Sequence, residues 1–184
     1  MSFRYEIRLS GEGGQGLVLA GKILAEAAAI YDDHNATQSQ SYGPEARGGA
    51  SKSDVIISDG EIDYPKAEHI DLLLALTQEA LDKYVSDLQP GGTLVVDSDA
   101  VERLPEGKWR VVRHPFVRTA REQLGKAVVA NIVALGLIVR LSRAVNEDSA
   151  EQAILARVPK GTEDLNRRAY RLGLDLGGEA AAAR

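Results

Sequence analysis

There is no cysteine in this chain. That absence rules out disulfides, cysteine-ligated iron–sulfur clusters and thiol nucleophiles together. No apolar run approaches the roughly 20 uninterrupted residues that a membrane span needs. The first residues hold no apolar core of a secretory signal, so a cytoplasmic location is expected. Basic tracts are also missing: 22 Lys and Arg stand against 27 Asp and Glu, a net charge of -5. That balance speaks against non-specific nucleic-acid binding. The three histidines, His34, His69 and His114, are scattered without metal-ligand spacing. Each reads as structural or exposed, and no metal site is expected. There is no nucleophile-elbow motif, and Ser10 and Ser41 have no evident His–acid relay. No catalytic residue is assigned, so the chain by itself reads as a binding and assembly module.

What is present begins with a glycine-rich turn, Gly11-Glu12-Gly13-Gly14-Gln15-Gly16. Before it, Tyr5-Glu6-Ile7-Arg8-Leu9 alternates like a short strand. After it, Leu17, Ala20, Leu24, Ala28 and Tyr31 recur at helical spacing. In this setting the glycines let the backbone turn sharply and present its amides at a helix start, where the dipole favours an anion. Gly11, Gly13, Gly14, Gln15 and Gly16 are therefore candidate phosphate-binding residues. The spacing also fits the dinucleotide fingerprint, which wants an acidic residue at the end of the second strand. Asp32 and Asp33 lie at about the right distance but precede that strand, which ends at Ser41-Tyr42. The dinucleotide reading is weak for that reason.

Residues 34–41, His-Asn-Ala-Thr-Gln-Ser-Gln-Ser, read as an unusually polar strand at a sheet edge, or one facing a partner or ligand; a polar loop is the alternative. The next ten residues hold three glycines and a proline around Tyr42, Glu45 and Arg47. This is either a hairpin loop with a solvated Glu–Arg pair or a loop whose backbone approaches a ligand while Arg47 clamps an anion. The adjoining polar strand favours the second reading. Residues 50–58 form a third strand paired with the second. Residues 70–76 are a buried strand, and Thr77 caps a helix running to about Leu88. Pro90-Gly91-Gly92 stops that helix before a core strand at 93–97, and 109–112 form the last strand. A short helix follows near 119–124. From Lys126 to Arg143 the chain is almost wholly apolar, with Val128, Ile132, Leu135 and Val139 on one face and Asn131 as its polar interior residue, in need of a partner. Two amphipathic helices follow, and 177–184 should fray.

With 44% hydrophobic and 27% charged residues, the whole reads as one α/β domain over residues 1–184. It should have three layers, a mostly parallel Rossmann-like sheet, a polar hairpin in the N-terminal half and a C-terminal helical extension from about 126.

Three segments occurring together carry a resemblance: Gly11-x-Gly13-Gly14-Gln15-Gly16; Ala36-Thr37-Gln38-Ser39-Gln40-Ser41-Tyr42-Gly43-Pro44-Glu45-Ala46-Arg47-Gly48-Gly49; and Ala120-Arg121-Glu122-x-Leu124-Gly125 with Ala130-Asn131-Ile132-Val133-Ala134-Leu135-Gly136. Over nearly its whole length the chain resembles the gamma subunit of the 2-oxoacid:ferredoxin oxidoreductases, the pyruvate, ketoisovalerate and 2-oxoglutarate family, with the 2-oxoglutarate type foremost. The resemblance implies a multi-subunit enzyme that oxidatively decarboxylates a 2-oxoacid with coenzyme A, giving acyl-CoA, carbon dioxide and reduced ferredoxin. Thiamine diphosphate, magnesium and iron–sulfur clusters would belong to the alpha and beta partners, with none held by this chain alone. The same domain type occurs with pyruvate, indolepyruvate and branched-chain substrates, so the motifs leave the 2-oxoacid open.

Joined to the residue chemistry, the resemblance gives Gly11, Gly13, Gly14, Gln15, Gly16 and Arg47 as candidate contacts to the coenzyme A phosphates. Gln38, Ser41, Tyr42, Gly43, Pro44, Glu45, Arg47, Gly48, Gly49 and Asn131 form a surface facing the active site or another subunit. Expected partners are the alpha and beta subunits, ferredoxin through them, and coenzyme A, with neither nucleic acid nor membrane; a homodimer stays open for the isolated chain. A stand-alone nucleotide-binding module and a purely structural subunit are the alternatives.

Overall fold

In the computed structural model, which describes residues 3–41 and 49–183, the chain is built around strand β1 (Arg4–Glu12). Its side chains alternate strictly. Ile7 and Leu9 point into one apolar core, while Glu6, Arg8 and Ser10 point to the other face and are buried there too. β1 is flanked by β3 (Ala50–Ser58), antiparallel, and β4 (Ile70–Ala75), parallel. The sheet order is β2-β3-β1-β4-β5-β6, with β2 (Asn35–Gln40) and β6 (Arg110–His114) at the edges and β5 (Leu88–Asp97) inside. The polar second strand is thus an edge strand, and its antiparallel hairpin with β3 pairs Asn35 with Ser58 and Gln40 with Ser53. An edge position explains its composition, because one side of it needs no apolar cover.

Helices α1 (Leu17–Glu26), α3 (Phe116–Leu124), α4 (Ala130–Ser142), α5 (Glu147–Arg157) and α6 (Glu163–Ala182) build the core on one face. Helix α2 (Gln78–Tyr84) covers the other face with Val101 and the partly buried Trp109. Three layers result, as the apolar pattern implied. Among the described residues no helix is long and apolar enough to cross a membrane.

Four local expectations are corrected. Helix α1 begins at Leu17, and its regular period stops short of Tyr31, passing into a wider π turn at Ala27–Tyr31. Helix α2 ends at Tyr84, and Pro90-Gly91-Gly92 lies inside β5 instead of stopping a helix. There the register against β4 shifts between Ile70 and Leu72, so residues 89–92 stand opposite Asp71 alone, and this irregular, bulge-like stretch tolerates the proline that a regular central strand would refuse. Val128 is 73% exposed, because Lys126 is extended and α4 starts only at Ala130. The C-terminal end is helical through Ala182, held by Gly177 against the Leu137 carbonyl of α4.

Helices α4 and α6 meet through a seam of small residues. A Cβ on Gly136 would collide with the Tyr170 carbonyl, and one on Gly173 with the Val133 carbonyl. Close backbone approach lets the apolar α4 bury every residue from Ala130 to Val139.

Candidate functional site

The strand order places a topological switch between β1 and β4. The chain leaves β1 into α1 on one face and leaves β4 into α2 on the other. In open α/β sheets the crevice at the carboxyl ends of such strands is where ligands bind. Here the strand ends are stitched by Leu76 N–H to the Ser10 carbonyl at 3.0 Å and by Ser10 Oγ to the Leu74 carbonyl at 2.7 Å. Immediately beyond lies the glycine turn.

Three of the turn's four glycines meet a backbone or packing demand. Gly14 and Gly16 have φ of 90° and 74°, a left-handed region that side chains disfavour. At Gly11 an added Cβ would stand 3.1 Å from Leu76 Cβ and collide with the Gln15 side chain. Gln15 closes the turn from within, its Oε1 accepting the Glu12 amide at 2.7 Å. Gly13, Gly14 and Gly16 donate no backbone hydrogen bond to another described residue, and the first amides of α1 also lack intrahelical partners. Among the described residues the turn is a cluster of unpartnered donors at a helix start.

Four clefts adjoin this cluster. One of about 250 Å³ runs between Gly11, Glu12, Gly49, Ala50, Thr77 and Glu79. Another, about 360 Å³, lies between the turn and the hairpin, with Ser41, Ser51 and Lys52 on its far wall. A third of about 300 Å³ reaches Leu76, Val117 and Ala130. The fourth, about 250 Å³, is an apolar trough with Leu19, Ile132, Val158 and Leu165 on its walls and Lys126 and Asn131 beside the turn. Charge is divided around the turn: Glu12 and Glu79 line the cleft on the α2 side, and Lys126 lines the apolar trough, while the Lys52 ammonium is held on the α2 side by Asp54 and the Tyr84 ring.

The structure therefore gathers Gly11, Gly13, Gly14, Gln15, Gly16, Ser41, Gly49 and Asn131. Ser41 Oγ accepts the Lys52 amide at 3.1 Å and holds the open end of the hairpin. Gln38 turns toward β3, donating to Ser53 Oγ at 2.9 Å. Tyr42, Gly43, Pro44, Glu45, Arg47 and Gly48 lie outside the described residues. Sequence reasoning missed Lys52 and Lys126. Lys52 could have been found from Lys-x-Asp on β3, since positions i and i+2 share a face: its Nζ is 3.1 Å from Asp54 Oδ2.

Behind that wall lies a buried ion cluster. Arg8, 2% exposed, grips Asp54 with Nε–Oδ1 at 2.7 Å and Nη2–Oδ2 at 3.1 Å, and also reaches Asp87. Its guanidinium stands 5.3 Å from the Tyr84 ring centroid. Burial would lower its pKa, but the bonds and charges of Asp54 and Asp87 outweigh burial and hold it above its ordinary value. The cluster joins β1, β3 and the end of α2 beneath the cleft.

Asp32, the candidate ribose ligand of the dinucleotide reading, is engaged elsewhere. Its carboxylate accepts the Asn146 amide at 2.8 Å, Asn146 Nδ2 at 2.9 Å and the Ser149 hydroxyl at the start of α5. Burial raises its pKa, yet these bonds prevail and leave it below the usual carboxylate value. A depressed folded pKa contributes stability that is complete above the unfolded value, about 3.9, and is lost as pH falls through the folded one. Asp32→Asn should flatten the acid limb of stability below about pH 5. Urea melts of both chains across that range check this; parallel limbs would refute it.

His114 sits beside Thr119 with Nε2 and Oγ1 2.8 Å apart, and burial lowers its pKa against the pull of Asp97. Among the described residues no cluster of three or more His, Cys, Asp or Glu could hold a metal ion.

The family model for pyruvate ferredoxin/flavodoxin oxidoreductase matches residues 6–176. The chain is 51% identical over 181 residues to the 2-oxoglutarate synthase subunit KorC of Methanocaldococcus jannaschii, covering 97% of each chain. It is 54% identical, with a TM-score of 0.90, to the crystal structure of a keto/oxoacid ferredoxin oxidoreductase gamma subunit from Geobacter sulfurreducens PCA, over 97% of this chain and 98% of that one. The fold also matches, at TM-score 0.84 and 21% identity, 31% of a chain of the Magnetococcus marinus 2-oxoglutarate:ferredoxin oxidoreductase solved with 2-oxoglutarate, coenzyme A and succinyl-CoA; 96% of the present chain is covered. On this sequence and structural agreement the chain belongs to the pyruvate ferredoxin/flavodoxin oxidoreductase family, with the fold of its gamma subunits.

Proposed function

We propose that the chain is the gamma subunit of a 2-oxoglutarate:ferredoxin oxidoreductase, and that its glycine turn and flanking cations bind coenzyme A. The observation that carries the substrate is the near full-length 51% identity to a 2-oxoglutarate synthase subunit. The complex cleaves the bond between the carboxylate and the 2-oxo carbon of 2-oxoglutarate and joins the remaining acyl group to the coenzyme A sulfur. Carbon dioxide leaves, and two electrons pass singly to ferredoxin. Thiamine diphosphate with magnesium and the iron–sulfur clusters supply this chemistry from the alpha and beta subunits; with no cysteine, this chain has no thiolates for a cluster. The reading places the complex in the cytoplasm.

The chain's own contribution is recognition. Phosphates suit the free amides of Gly13, Gly14 and Gly16 and the positive end of α1. Lys126 adds charge beside the turn, and Arg47 adds a planar fork able to grip a phosphate. The acidic side, Glu12 and Glu79, would steer the polyanion toward the hairpin and the trough.

In the complex assembled with its partner subunits, Arg47→Ala should raise KM for coenzyme A by about tenfold, the worth of one charged hydrogen-bonded contact, with KM for 2-oxoglutarate unchanged. Failure of the variant to assemble would make the loop an interface element instead. Turnover kinetics with 2-oxoglutarate, pyruvate and 2-oxoisovalerate on that complex test the substrate; faster turnover of either of the others would overturn it.

A further inference from the structure

Asn131 is the polar residue in the first two turns of an otherwise apolar helix, and it is only 6% exposed. A leucine would fill such a place without the cost of burying an amide. Both ends of this amide are used. Oδ1 accepts the Ile132 amide at 2.9 Å, and Nδ2 donates to the Gly16 carbonyl at 3.1 Å. Partners of opposite kind fix which way the amide faces. The Gly16 carbonyl also accepts the Ala20 amide at 3.1 Å, so one oxygen starts α1 and receives Asn131.

The approach is close enough to forbid a side chain on the other partner. A Cβ at Gly16 would collide with Asn131 Nδ2 and stand 3.0 Å from Asn131 Cγ. Gln15 clamps the turn from inside, through the Glu12 amide; Asn131 clamps it from outside, through Gly16. Between these two points the amides of Gly13 and Gly14 have no partner among the described residues. Asn131 lies too deep to be the main ligand contact, yet it touches the element that would make that contact.

We propose that Asn131 is a positioning residue: through its amide, α4 sets the shape of the turn that reads the coenzyme's phosphates. This rests on the coenzyme A reading above. The clamp pre-forms the donor cluster, so binding does not have to order the turn. Two separate readouts keep the clamp and the coenzyme reading apart.

The first is ¹⁵N relaxation of the full chain. In Asn131→Ala the amides of Gly13, Gly14 and Gly16 should become mobile, with order parameters falling below about 0.6; unchanged order parameters would overturn the proposal. The second is kinetics of the assembled complex. Asn131→Ala should raise KM for coenzyme A by about tenfold, the worth of one net hydrogen bond, while kcat and KM for 2-oxoglutarate move less than about twofold. Asn131→Asp should do worse, since it sets a charged acceptor against the Gly16 carbonyl and beside an anion.

Gly16→Ala reaches the same point from the other side. The double variant should be no worse than Gly16→Ala alone, because both changes act through one contact; additive losses would contradict the proposal. A mobile turn with KM for coenzyme A unchanged would leave the clamp standing and remove coenzyme A from the turn.

Discussion

Gly173→Leu should leave a chain that does not fold stably at ordinary temperatures. The Cβ it introduces would strike the Val133 carbonyl, stand 2.9 Å from Gly136 Cα and 3.0 Å from Leu137 N. All three are main-chain atoms of α4, so no rotamer change can make room. Nor can α4 withdraw, since its opposite side is packed into the core beneath the sheet. The two helices must part, opening the contact that buries α4. Overpacking of this kind costs about 3 kcal/mol or more, against a total stability of about 5–15 kcal/mol. Even Gly173→Ala should lower Tm by roughly 10 °C for a chain of this size. Gly178→Ala is the matched control five residues on. Its Cβ meets only Nη1 of Arg140, at 3.0 Å, a side-chain atom and not main chain. Alanine is preferred to glycine in a helix by about 1 kcal/mol, so this change should raise Tm. Calorimetric melts of the pair decide the matter; equal shifts would show that the seam is not tight.

Arg8→Met should cost about 3–5 kcal/mol, the penalty for breaking a buried ion pair from one side. Methionine keeps the stem's volume but leaves the Asp54 carboxylate, 7% exposed, with Lys52 as its remaining ion partner among the described residues. Asp87 is nearly half exposed and returns to water with little loss. Exposure therefore says which partner pays: Arg8→Met/Asp54→Leu should recover most of the loss, whereas Arg8→Met/Asp87→Leu should not. Urea unfolding of the three variants measures this, and equal rescue by both second changes would reject the assignment.

The strand–turn–helix opening was legible because glycine and apolar period agree there, and the same holds for the Thr77 cap, whose Oγ1 accepts the Ala80 amide at 3.2 Å. The polar second strand was legible as an edge for a simple reason: its residues could not be buried on both sides. Pro90-Gly91-Gly92 misled because a helix stop and a strand bulge use the same residues, and only the β4 register separates them. Val128 misled because its apolar neighbours continue a helical period that Lys126 interrupts through backbone conformation alone. Gly177 looked like a sign of fraying; its meaning depends on what lies opposite. Lys126 carries no local signature, and only the fold brings it beside the turn, whereas Lys52 is marked by its Lys-x-Asp spacing on β3. Asn131 could be marked as needing a partner, but not which one.

That partner lies 115 residues earlier in the chain, and the tie from Asp32 to Asn146 is almost as long, 114 residues. During synthesis, the first strand and its turn leave the ribosome long before either tie can close. A nascent chain halted before residue 131 would have a glycine loop without its outer support. Contacts this distant slow folding, so the phosphate-reading end of the domain matures late, after the last third of the polypeptide has been made.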